Sequence, residues 1–314
     1  MVDRNRWKRA PVLKRRPPEP IDGPPRKSML RQRLITGPIL IGFLILLVWL
    51  DAAGLAGSHP GTVFAVAFAM LIPIAAREAA TLVRNCGTRC PDSLAIIAAL
   101  AMYFAGFAAS RITDPTLAIG VAMMGPVIGF GVAMIGLASS RSIPGAFVGA
   151  AAIAGIAIWT GLLPVFWLLA IEVHGAWLVA GLVLVVKAGD IGAYFTGMCF
   201  GRRKMIEWLS PKKTIEGGLG GLAFAALVGA GVAILSGGGP PEAELDLLAG
   251  IIGGIVLAIV GAGGDLLESL LKRAAGAKDS GSVLPGMGGV LDVLDSPLVA
   301  GPVAWIVLRL GTGG

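Results

Sequence analysis

Apolar residues in this chain are gathered into long runs separated by short polar or charged connections. A helix needs about 20 such residues to cross the hydrocarbon core of a bilayer. Suitable runs cover Leu34–Leu50, Gly61–Ala80, Leu94–Ala109, Leu117–Ala138, Pro144–Leu169, Ala176–Phe200, Thr214–Leu235, Leu247–Leu271 and Pro297–Leu310. In the fifth, Gly161 and Pro164 could split the run into a shorter span and a re-entrant or surface piece, because proline removes a backbone donor. The ninth is short and is expected to end at the membrane surface. The pattern predicts an all-α polytopic integral membrane protein with about nine transmembrane helices.

Composition agrees: mean hydropathy is +0.82, and only 14% of residues are charged. A net charge of +7 would suggest nucleic acid if it were spread evenly, but it is segregated, so no nucleic-acid partner is expected. The arm from Met1 to Arg33 carries 11 Lys and Arg against 3 Asp and Glu. It is rich in proline, has no apolar periodicity and is expected to be disordered. Its basic region is too long for a secretory signal, and no small-residue cleavage site follows the first run. It serves either as a cytoplasmic topology anchor or as an attractor of anionic headgroups.

With the amino terminus inside, Arg77, Arg84, Arg89, Arg141, Arg202, Arg203, Lys204, Lys212, Lys213, Lys272, Arg273 and Lys278 all fall on the inner side. Before the last span the outer connections carry only Arg111, and Gly237–Asp246 is acidic. That bias is the one the positive-inside rule requires. Glycines within the seventh and eighth runs, Gly217 to Gly231 and Gly250 to Gly264, are read as close helix contacts. No internal repeat supports a transporter of inverted repeats. Cys86 and Cys90 form a CxxxC pair without a partnering histidine, so zinc is not expected. His59 and His174 fall in outer connections, away from any cytoplasmic chemistry. Glu78 is expected simply to pair with Arg77 and Arg84.

The chemistry collects in the second half. Asp190, Tyr194, Gly197 and Gly201 form one helical stripe, and an Asp within a span is a functional candidate unless it only pairs with Lys187. In Ser210-Pro-Lys-Lys-Thr-Ile-Glu-Gly, Ser210 can cap a helix with Pro211 in its first turn. Lys212 and Lys213 would then stand at a helix amino terminus, which favours phosphate. From Gly264 the chain reads GDLLESLLKRAAGAKDSGSVLPGMGGVLDVLDS. If its start is helical, Asp265, Ser269 and Lys272 share one face; if its end is helical, so do Asp292 and Asp295. Hard oxygen ligands beside Lys272, Arg273 and Lys278 describe a site for metal and phosphate.

Three stretches in this order, D-x-x-A-Y-x-x-G-x-x-x-G, S-P-K-K-T-x-E-G and the long segment ending D-x-x-D-S, resemble phosphatidate cytidylyltransferase, also called CDP-diacylglycerol synthase. The resemblance is close over Asp190–Ser296 and general before it. It implies transfer of CMP from CTP to phosphatidic acid at the cell membrane, with Mg2+ as cofactor and the active site and amino terminus cytoplasmic. On that basis residues 34–171 are the N-terminal transmembrane helices and 172–314 the catalytic transmembrane region. The resemblance makes Asp265 and Asp292 the principal metal ligands, with Asp279 and Asp295 close by. It makes Asp190, Lys213, Asp265, Lys272, Asp279 and Asp292 catalytic. Lys212, Lys213, Lys272, Arg273 and Lys278 would hold phosphates of CTP or of the lipid, and Ser210, Thr214 and Ser269 would add hydroxyl contacts. A second metal position for K+ and a homodimer are left open.

Two positions depart from the family pattern: Met287 stands where a histidine is usual and Val293 where an arginine is usual. Loss of a cation beside a triphosphate would weaken charge stabilisation, which admits a catalytically impaired paralogue. The remaining rivals are a CTP-dependent lipid-alcohol kinase and a non-catalytic lipid-binding membrane protein. A CDP-alcohol phosphotransferase lacks support, because its D-G-x-x-A-R start is absent.

Overall fold

The structure, a computed structural model, describes residues 26–54, 59–138 and 145–312. Residues 1–25 of the basic arm, and Arg141 of the inner charge set, lie outside the described residues. The chain runs as α1 (Arg26–Ala52), α2 (Thr62–Asn85), α3 (Asp92–Ser110), α4 (Pro115–Ala138), α5 (Ala146–Ala157), α6 (Leu163–His174), α7 (Ala176–Phe200), β1 (Lys204–Ile206), β2 (Ser210–Thr214), α8 (Ile215–Ser236), α9 (Leu247–Ala274) and α10 (Val290–Gly311). Among the described residues, α1 to α4, the joined α5–α6 and α7 to α10 make nine helices long and apolar enough to cross a membrane. The fold is all-α and multi-pass, with a single two-stranded hairpin, β1–β2, among the described residues.

Several boundaries differ from the apolar runs for local reasons. α1 covers Arg26–Ala52, so the described part of the basic arm is helical rather than disordered, and nothing between Arg26 and Ile35 breaks a helix. α5 and α6 do not separate at Gly161 and Pro164. A π-helical turn, Ile158–Leu162, joins them into one span, and Thr160 donates its hydroxyl to the Ile156 carbonyl at 2.8 Å. α10 starts seven residues before the last apolar run, so it is a full-length span whose first turns are acidic.

The distribution of side-chain size is that of a lipid-facing bundle. Large apolar residues such as Phe43, Met70, Phe130 and Leu227 point outward, while Ala76, Ala79, Ala98, Ala99 and Ala300 are completely buried. Small residues let helices approach where apolar burial gives no drive, since lipid is as apolar as the core. Cβ atoms built on Gly250 and Gly254 of α9 would lie 2.5 Å from the carbonyl oxygens of Gly229 and Ala225 on α8. Gly231 and Gly263, by contrast, face open space, so the packing role of the glycines is not universal. α7, α8, α9 and α10 pack in succession, and α10 returns to α6, where Trp167 Nε1 donates to the Pro297 carbonyl at 2.9 Å.

The two ends of the bundle differ in kind. One carries Arg111 beside Glu172 at 3.1 Å, together with Asp246, which caps α9 by accepting from the Leu248 and Ala249 amides. The other gathers the C-terminal half of α2, the hairpin, the C-terminal half of α9 and the start of α10. That second end holds nearly every candidate residue.

Candidate active site

α9 presents Asp265, Glu268, Ser269 and Lys272 at i, i+3, i+4 and i+7, one continuous face. α10 adds Asp292 and Asp295, and β2 extends Lys213 toward them. The two helices can meet because of Gly264, where a Cβ would sit 2.6 Å from the Asp295 carbonyl oxygen. As a result Asp265, Glu268 and Asp295 each bring a carboxylate oxygen within 4.8 Å of the others. Glu268 is fully buried and Asp295 is 4% exposed.

Three lysines answer this charge. Lys213 Nζ lies 2.7 Å from Asp265 Oδ2 and 3.5 Å from the Ala262 carbonyl oxygen. Lys272 Nζ bridges Glu268 Oε2 at 2.7 Å and Asp292 Oδ1 at 2.6 Å. Lys187 Nζ is 3.6 Å from Asp190 Oδ2 on α7, the intrahelical pair that the spacing allowed. Asp190 is also within electrostatic reach of Asp265 and Lys213. Counting each group as charged, five carboxylates (Asp190, Asp265, Glu268, Asp292, Asp295) face three ammonium groups. That excess of acid can be balanced by a divalent cation or by a proton shared between Glu268 and Asp295. Glu268 Oε1 is buried and has no hydrogen-bond partner, which is costly for a carboxylate unless something cationic meets it. All the donors are hard oxygens, and such a set suits magnesium.

Asp292 is placed differently from the other acids. Its Oδ2 accepts from the Ser280 amide at 2.8 Å, the Ser280 hydroxyl at 2.7 Å and the Gly289 amide at 2.8 Å, while Oδ1 faces Lys272. The structure therefore groups Asp265 and Asp295 with Glu268, and sets Asp292 against Lys272 outside that triad. Asp279 is exposed in the α9–α10 connection, where it lies beside Gly288; Lys278 is exposed on the same connection and Arg273 in the last turn of α9. Ser269 Oγ donates to Asp265 Oδ1 at 3.5 Å.

Two expectations need correction. Ser210 does not cap a helix: it opens β2 and pairs with Ile206, so Lys212 and Lys213 stand on a strand. Pro211 fits that short edge strand, and the cap falls to Thr214, whose Oγ1 accepts from the Gly217 amide at 3.1 Å. Glu78 does not pair with Arg77 or Arg84. Those two, seven residues apart on one face, both reach Asp92; Arg77 Nε is 3.6 Å from it and Arg84 also makes an ion pair with it. Glu78 is rotated about 100° from Arg77 and is buried, with Oε1 accepting from the Val290 amide and Oε2 from the Leu291 amide. Sequence reasoning assigned no role to Glu268 either, although its spacing from Asp265 and Lys272 was available as a signal. Cys90, in the α2–α3 connection, is a core group: burial, partly opposed by Arg84, pushes its thiol up to about 11.

Residues 31–311 match the family described as the cytidylyltransferase family. The uncharacterized protein YnbB of Escherichia coli is 37% identical over 135 residues, 43% of either chain. A phosphatidate cytidylyltransferase of Helicobacter pylori is 43% identical over 126 residues, 40% of this chain and 44% of the relative. One from Synechocystis is 29% identical over 279 residues, 80% of this chain and 89% of the relative. The chain thus spans less than half the length of the first two relatives and most of the third. Since the family match takes in the hairpin, the acidic triad and nearly all the helices, the chain belongs to the cytidylyltransferase family.

Proposed function

We propose that this protein is a phosphatidate cytidylyltransferase, which makes CDP-diacylglycerol and pyrophosphate from CTP and phosphatidic acid. The observation that carries the reading is the acidic triad, Asp265 half-buried and Glu268 and Asp295 buried, directly beside Lys213 and Lys272 at one end of a membrane bundle. The names of the Helicobacter and Synechocystis relatives supply the substrate. In this proposal Asp265, Glu268 and Asp295 hold Mg2+, which when bound supplies Lewis-acid neutralisation of phosphate oxygens. Beside Asp190, the Lys187 ammonium already provides a monovalent positive charge, so a potassium position is not invoked.

The chain's own groups do the rest. Lys213 and Lys272 balance phosphate charge next to the triad, and the exposed Lys212, Arg273 and Lys278 attract the triphosphate at the rim. A phosphatidate oxygen forms the new bond to the α-phosphorus of CTP. The bond from that phosphorus to the β-phosphate bridging oxygen breaks, and pyrophosphate leaves with the electron pair. No protein nucleophile is required. The acyl chains stay among lipid while CTP arrives from the cytoplasmic side, the orientation favoured by the positive-inside bias. Purified protein in detergent, given CTP, phosphatidate and magnesium, should form CDP-diacylglycerol and pyrophosphate in equal amounts. Formation of CDP with a phosphorylated lipid would favour the kinase, and no product from either route would leave lipid binding alone.

A further inference from the structure

Glu78 lies 202 to 213 residues from its partners Ser280, Val290 and Leu291. Its side chain, 7% exposed, reaches from α2 to the start of α10. Oε1 accepts from the Val290 amide at 3.1 Å and Oε2 from the Leu291 amide at 2.8 Å. These are the first two amides of the helix, which no turn of their own can satisfy; a carboxylate there also suits the helix dipole. Ser280 Oγ lies 3.3 Å from Glu78 Oε2 and 2.7 Å from Asp292 Oδ2, so one serine touches both acids. Glycines complete the enclosure. A Cβ on Gly281 would fall 2.8 Å from Glu78 Cδ, and one on Gly289 2.6 Å from the same atom. Backbone on two sides closes directly onto this carboxylate.

We propose that Glu78 is a positioning residue for the active site: from α2 it fixes the segment 280–291 and thereby holds Asp292 against Lys272. Its consequence for turnover rests on the cytidylyltransferase reading, but the tie itself does not. The path is short. Glu78 fixes the first α10 amides, which follow directly on Gly289, and touches Ser280; Ser280 and Gly289 fix Asp292 Oδ2, and Asp292 Oδ1 fixes Lys272 beside Glu268. Glu78→Gln replaces one acceptor by a donor that faces an amide donor, so an N–H loses its partner. Glu78→Asp keeps the charge and shortens the reach by one methylene.

Hydrogen–deuterium exchange of the intact purified protein tests the tie without any substrate. Peptides covering 279–294 should exchange about tenfold faster in Glu78→Gln and at an intermediate rate in Glu78→Asp, with α3 and α8 unchanged. In the turnover assay, kcat should fall about tenfold in Glu78→Gln while KM for CTP stays within about threefold, and Glu78→Asp should recover part of the loss. Unchanged exchange at 279–294 overturns the tie. Loosening of every helix alike, or failure of both variants to fold, makes Glu78 a general stabiliser and overturns the positioning role, as does local loosening with kcat intact. If the wild type makes no CDP-diacylglycerol, the activity reading fails, and the exchange measurement still decides whether Glu78 fixes this segment.

Discussion

Lys272 is a single cation held between two carboxylates, and its side chain is 13% exposed. Removing it leaves Glu268 and Asp292 without their shared counter-charge, a change that typically costs about 3–5 kcal/mol. Lys272→Met should therefore lower the midpoint of thermal unfolding in detergent and abolish turnover together. The acids should separate by role. Asp265→Asn and Glu268→Gln weaken an oxygen donor set, so the magnesium concentration for half-maximal activity should rise by about tenfold or more, a contribution of roughly 1.4 kcal/mol. Asp292→Asn loses its charge against Lys272, so turnover should fall with that magnesium requirement within about threefold of wild type, because a factor of three is under 1 kcal/mol. A magnesium titration of the three variants checks this; a matching shift in Asp292→Asn would return that residue to the metal ligands. At this scale the sequence was readable wherever spacing along one helix sufficed, as for Asp265, Ser269 and Lys272. It misassigned Glu78 to the neighbouring arginines, because the partners of Glu78 are brought to it only by the docking of α10.

Between elements, the contact that builds the triad is the crossing of α9 and α10 at Gly264. Gly264→Ala should push its new methyl against the Asp295 carbonyl and cost about 1–3 kcal/mol by overpacking. Gly263→Ala, one residue away and facing open space, should be neutral or stabilising by up to about 1 kcal/mol. Parallel unfolding curves of the two variants separate close packing from helix propensity. The apolar runs announced nine spans because the length that crosses a bilayer is a property of one segment. They could not announce that α10 begins at Val290, since Asp292 and Asp295 interrupt the apolar run there, and Ser280, Gly289 and Lys272 meet Asp292 only in the folded chain. The hairpin was hidden for a similar reason: Ser210-Pro211 reads equally well as a helix start or an edge strand, and pairing with Lys204–Ile206 decides. At the two departures, Met287 closes the turn by donating its amide to the Leu284 carbonyl at 3.0 Å, and Val293 ends the first turn of α10. If Val293→Arg reaches phosphate, its charge-assisted contact should lower KM for CTP about tenfold, which a CTP titration at fixed magnesium would reveal.

For the whole molecule, the proposed orientation puts the acidic triad on the side that CTP can reach. In a background without the native cysteines, a cysteine at Gly238 should react with an impermeant maleimide on intact cells, and one at Ala277 only after permeabilisation. The reverse pattern would invert the bundle and strand the site. The link from Glu78 to α10 also bears on how the protein is made. At about 5–20 residues per second, roughly 10–40 s of synthesis separate Glu78 from the Val290 and Leu291 amides that cover it. Throughout that interval the nascent chain carries an acid in the C-terminal half of an apolar helix, and its final partners are not yet synthesised. A chain that stops before Val290 lacks both amides, so in an unfinished product this carboxylate stays without the helix start that covers it in the finished one.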